Sequence, residues 1–303
     1  MSLSRTLALI GAPTDIGAGH RGASMGPEAL RVAGLAEALR ERGLEVVDTG
    51  NLAGPVNPWQ PPTEGYRHLP EVVAWNRAVL DAVYGELQAG RLPVLLGGDH
   101  CLGLGSITAV AKHCREAGKK LRVIWLDAHA DFNTSDVTPS GNVHGMPVAC
   151  LCGLGPRELT HLAGDAPALL PAQIRQVGIR SVDDEERKLI SENAVNVFDM
   201  RAIDEDGMGS IMKRILADVR AAVTRALGNG RHQTDAVAQA RQEDQRGDID
   251  EPAGPDRRSA QVPGRFQVSQ HRAGTLSSPV TLARRPRRGS GEIAVPSLYS
   301  AAA

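Results

Sequence analysis

Asp127, His129 and Asp131 occupy every second position behind the apolar run of residues 121–126, in the stretch RVIWLDAHADFN. If the chain stays extended past Leu126, their side chains point to one side, because a strand alternates with period two. Two carboxylates held that close repel unless a cation lies between them. Mixed Asp and His donors suit borderline divalent ions such as Mn, Fe, Co or Zn, and the absence of Cys from the set argues against a structural zinc. A lone His at a strand end would read as a satisfied core side chain, and a lone Asp as a cap. The three together, behind an apolar strand, read as metal ligands.

Two further stretches carry groups of the same kind. In VLLGGDHCLGLGS, residues 94–96 read as a strand, Gly97 and Gly98 allow a sharp turn, and Asp99 and His100 emerge at its tip. In TPSGNVHGMP, the Ser, Gly and Asn cluster signals a loop. Ser140, Asn142 and His144 can there present hydrogen-bonding groups beside the metal tip, or do no more than ordinary turn chemistry.

Such groups need a rigid frame. Residues 7–10, 44–48, 92–96, 121–127, 174–179 and 195–199 are short β-branched or Leu-rich runs that read as strands. Between them, GPEALRVAGLAEALRER, EVVAWNRAVLDAVYGELQ, GLGSITAVAKHCREAG and MGSIMKRILADVRAAVTRAL place apolar residues three and four apart, as amphipathic helices do. Pro27 falls near the first helix start, where its missing N–H costs little. The alternation predicts one doubly wound α/β domain over residues 1–227, with a parallel sheet covered by helices on both faces. In such sheets ligands bind outside the carboxyl ends of the strands, which is where both polar tips fall.

From residue 228 to 303 the chain carries eleven Arg, no Lys, and only Phe266 and Tyr299 as aromatics. No window there pairs an apolar strand with a helix, so the segment is expected to be disordered or non-native to the fold. The abrupt change suggests a shift of reading frame near residue 228.

The chain's 303 residues with 42% hydrophobic content can bury a large core, and a formal charge of −1 gives no overall reason to expect nucleic acid or a membrane as partner. A small molecule is the default ligand. The first residues have too short an apolar run for a signal peptide, and no run approaches the ~18 apolar residues of a membrane span. Cys101, Cys114, Cys150 and Cys152 fit neither a disulfide framework nor a CxxC pair, which points to a reducing cytoplasm.

GAPTDIGAGHRGASMGPEALR, GGDHCLGLGS, LDAHADFNT, SGNVHGMP, GIRSVD and VFDMRAIDEDGM follow one another in an order and spacing that resemble the arginase branch of the ureohydrolase family, over about residues 5–227. The resemblance implies a three-layer αβα doubly wound, mostly parallel sheet. It also implies hydrolysis of L-arginine to L-ornithine and urea by a hydroxide activated on two Mn2+ ions per subunit. His100 and Asp131 would bind one manganese and His129 the second, with Asp127 bridging both. Asp131 and His144 are the candidate catalytic residues, His144 shuttling protons at the mouth of the site. Asn133, Ser140 and Asn142 would hold the α-carboxylate of arginine, Asp183 its α-ammonium, and Glu186 would assist more weakly. Without the resemblance, Asp183 and Glu186 read as solvated acids at a helix start. The family's members often form homo-trimers or hexamers.

The pattern then breaks. The family carries a second acidic motif, S-x-D-x-D-x-x-D-P, on a later strand, and here only Asp248 and Asp250 in QRGDIDEPAGPD offer acids at that spacing, without the apolar strand or the Ser. The later Glu expected near the guanidinium is also absent. With two protein ligands left to it, the second ion would be held weakly. A catalytically inactive arginase-like protein and a ureohydrolase acting on another guanidino compound such as agmatine are therefore the competing expectations. The Arg-rich tail, lacking interleaved aromatics, is a weak signal for nucleic acid.

Overall fold

The computed structural model describes residues 6–228. Residues 229–303, and with them Asp248 and Asp250, lie outside the described residues, as does the expectation of a disordered segment. In chain order the elements are β1 Thr6–Ala12, α1 Gly26–Val32, α2 Leu35–Arg40, β2 Glu45–Asn51, α3 Leu69–Gln88, β3 Leu92–Gly97, α4 Gly103–Glu116, β4 Val123–Leu126, α5 Pro147–Leu151, α6 Arg157–Thr160, β5 Ile174–Ile179, α7 Asp184–Glu192, β6 Asn196–Asp199, α8 Met200–Asp206 and α9 Met208–Gly228. Every pairing between these strands is parallel, among the described residues.

The predicted strands all form. Among the described residues they pair in two three-stranded groups, in the order β2-β1-β3 and β4-β5-β6. Among the described residues, β3 and β4 are thus each paired on one side only. The aliphatic side chains of Leu92, Ile124 and Leu126 on these two strands remain exposed.

The predicted helix over residues 26–42 is two helices, because Gly34 turns into the left-handed region (φ 79°) at the start of α2. Apolar spacing alone does not register this break, since the periodic face continues through it.

Helices cover both faces. The main core joins β1, α3, α4, β4 and the segment from Ala130 to Leu151, with Phe132, Leu104 and Ile16 fully enclosed. On the other face of β5 and β6, Val177 packs with Ile211 and Ile215 of α9 and with partly buried groups of α8. Buried Asn76 of α3 fastens α4 by accepting the Gly105 N–H at 2.7 Å while donating to Val72 O at 2.9 Å. That joint holds the start of α4, and so the turn just before it that carries His100. No described helix is long and apolar enough to cross a membrane.

Candidate metal centre

β3 ends in Gly97 and Gly98, and the chain there presses against the loop after β1. The Gly98 and Asp99 N–H groups donate to Ala12 O and Thr14 O, at 3.1 and 3.0 Å. A side chain on Gly98 would bring its Cβ within 2.2 Å of Thr14 O, so the second glycine of the turn is required by close approach. Asp99 does not face solvent as a tip residue would. It is buried, and its carboxylate accepts the N–H groups of Gly17 and Cys101, fixing the short 3-10 turn His100–Leu102. His100 is left to project from that turn.

β4 delivers the other groups. Asp127 follows the last strand residue and stays in register, donating its N–H to Val177 O at 3.1 Å. The extended course persists to a bridge between His129 and Ser181 and then ends, because Asp131 adopts φ 52°. Period-two alternation therefore does not place Asp131; a left-handed turn does, at a cost of order 1–3 kcal/mol for a residue other than glycine. Positive-φ Gly178, where β5 shifts register against β6, lets β5 pass Asp127 O, which a Cβ there would approach to 3.1 Å.

The groups converge. His100 Nδ1 lies 2.8 Å from Asp127 Oδ2 and 2.8 Å from Asp131 Oδ2, and donor atoms of these three residues fall within 4.8 Å of one another. One ring N–H cannot be aligned on two oxygens, and Asp131 Oδ2 is left as a buried atom without a hydrogen-bond partner. Burial alone would lower the His100 pKa, but the Asp127 and Asp131 carboxylates against the ring outweigh it and raise it to about 9. Burial would raise Asp127, but His100 and the His129 N–H hold it below the usual carboxylate value. For Asp131 burial wins, and its pKa rises.

Two enclosed acids with a proton between them, one oxygen lacking a donor, and an imidazole beside them fit a divalent cation, which would replace the His100 proton. His129 stands apart, its side chain 54% exposed and its Nδ1 3.4 Å from Asp127 Oδ1. Among the described residues no other group of three His, Cys, Asp or Glu side chains has this closeness.

Around the centre, Asn133 is 8% exposed and its Oδ1 has no hydrogen-bond partner among the described residues. Ser140 Oγ accepts the Asn142 N–H at 3.3 Å, and Asn142 Oδ1 accepts from Arg67 Nε at 2.7 Å. His144 follows, its backbone N–H donating to Gly17 O at 3.3 Å. Exposed Asp183 immediately precedes α7. Glu186 is enclosed in that helix, its Oε1 accepting the Phe132 N–H at 2.8 Å. Burial chiefly, with Asp131 adding to it, raises Glu186 to about 7.

Three contributors escape the motif reading. Trp125 lies under His100 with ring centroids 4.3 Å apart and planes 18° apart, and the period-two pattern that selected Asp127 places Trp125 on the same face. Gln176 is the one uncharged polar side chain within the run IRQVGI of β5. Arg67, in a stretch with no periodicity, gave no signal.

The fold is thus a parallel α/β domain with imidazole and carboxylates gathered at strand carboxyl ends, where three of them could hold a metal ion. The chain belongs to the arginase family, which its residues 5–226 match. It is 42% identical over 214 residues to an arginase of Brucella suis, covering 70% of this chain and 69% of that one. It is 39% identical over 217 residues to an arginase of Brevibacillus brevis, covering 72% of each. Among solved structures, arginase from Bacillus caldovelox superposes with a TM-score of 0.66 at 36% identity, over 71% of each chain. This likeness confirms the expected three-layer α/β architecture.

Proposed function

We propose that the chain is a metal-dependent amidine hydrolase that converts L-arginine to L-ornithine and urea, with the His100, Asp127 and Asp131 cluster as the observation that carries this reading. His100, Asp127 and Asp131 would hold one divalent ion, manganese in the proposal, and His129 with the second face of Asp127 would hold another. An ion bound there lowers the pKa of water, and so supplies a nucleophile at neutral pH.

The remaining work is done by side chains. The guanidinium carbon is resonance-stabilised and a poor electrophile, so its placement against the nucleophile is the protein's main contribution. Asn133, Ser140 and Asn142 orient the α-carboxylate, and Asp183 meets the α-ammonium. Asn133 would meet the carboxylate through its Nδ2 amide, since its unpartnered Oδ1 is an acceptor and calls for a donor such as a substrate N–H. His144 carries protons to and from the mouth of the site.

A second reading is supported by the exposed position of His129. With only His129 and Asp127 for a second ion among the described residues, the chain would bind one ion well and turn over slowly or not at all. Calorimetric titration of metal-free protein with Mn2+, paired with a urea assay on arginine and on agmatine, separates these outcomes. Two tight sites with urea from arginine alone are expected of an arginase. One site and no urea would overturn the enzyme reading, and urea from agmatine would move the substrate.

A further inference from the structure

The left-handed turn at Asp131 is held from both sides by buried polar side chains that do not touch the ligand cluster itself. The carbonyl before it, Ala130 O, accepts from Nε2 of Gln176 on β5. The N–H after it, on Phe132, donates to Oε1 of Glu186 on α7. The carbonyl of Asp131 itself accepts from the Val148 N–H at 2.9 Å, at the start of α5.

Both side chains are unusual tenants of their positions. Gln176 is wholly enclosed, and Glu186 is 3% exposed. Gln176 pairs in register with Trp125, the residue under His100, and Trp125 Nε1 and Gln176 Oε1 both lack a partner. An enclosed amide with one polar end unsatisfied costs stability relative to an aliphatic residue of like volume. Its one hydrogen bond given by the structure goes to the peptide beside Asp131.

We propose that Gln176 and Glu186 are positioning residues: they clamp the two peptide groups flanking Asp131 and so keep its carboxylate beside His100 and Asp127, in the arrangement that holds a divalent ion. This rests on the reading of that cluster as a metal site. It adds to Glu186 a role through the backbone, separate from the substrate contact that the resemblance implies.

The probe is Mn2+ alone, added to the full metal-free chain and followed by the EPR signal of the free ion, with melting temperatures taken on the same metal-free samples. Gln176→Leu removes the unpartnered Oε1 but also the donor to buried Ala130 O, and is expected to lower the melting temperature only slightly while weakening Mn2+ binding roughly 10- to 100-fold, the usual penalty for losing the support of a ligand. Glu186→Gln retains an acceptor for the Phe132 N–H and is expected to bind Mn2+ as the unaltered chain does. Glu186→Asp, one methylene short, is expected to bind it more weakly. Mn2+ affinity equal to the unaltered chain in both Gln176→Leu and Glu186→Asp overturns the clamp and leaves the metal site standing. Failure of the unaltered chain to bind Mn2+ overturns both. Should Gln176→Leu not fold, the two Glu186 variants decide, and equal affinities between them overturn the clamp.

Discussion

His100 carries the clearest consequence at the scale of single residues. Its folded-state pKa of about 9 stands above the unfolded value of 6.5, so the proton it shares with Asp127 and Asp131 stabilises the metal-free chain. That stability is fully present below pH 6.5 and is lost as the pH rises through about 9. Urea unfolding with a chelator present, at pH 6 and at pH 9, should give the lower midpoint at pH 9. Saturating Mn2+ should shrink the difference, because the ion takes over the task of the proton. The candidate ligands His100, Asp127 and Asp131, which the structure brings together, were legible in the sequence from their spacing and chemistry. Their geometry was legible only as far as His129, because the left-handed turn at Asp131 is set by contacts to β5, α5 and α7, which lie far along the chain.

At the scale of elements, strands were read well because β-branched and Leu-rich runs between turn residues have few alternatives; the helices depended on more. Gly34 makes the point testable. As the interior of one helix it would be improved by Ala, by up to about 1 kcal/mol. At φ 79°, between α1 and α2, Gly34→Ala should instead destabilise by roughly 1–2 kcal/mol, seen as a lower urea midpoint with unchanged slope. Phe132, fully enclosed behind the metal turn, should be worth more: Phe132→Ala is expected to cost about 3–5 kcal/mol by thermal or chemical unfolding. Element α8 went unread, because MRAIDED is too short for its periodicity to stand out and its start depends on Asp199 capping the Ala202 N–H at 2.8 Å.

At the scale of the whole molecule, the sequence conveyed the layer architecture but not which of the described strands pair with which, since partner choice between strands is not written in any one strand. The exposed Leu92, Ile124 and Leu126 on β3 and β4 make these strands candidates for association between chains. Ile124→Lys should lower concentration-dependent light scattering without lowering the melting temperature much, as Ile124 is already exposed.

His100 reaches out from the end of β3 to rest on Trp125 of β4 and to pair with Asp127, so the candidate metal centre lies on the seam between the two sheets. An ion there would act as a rivet. Its arrival would be felt as stiffening on both sides of the seam, added to the shared apolar core that already joins the two halves.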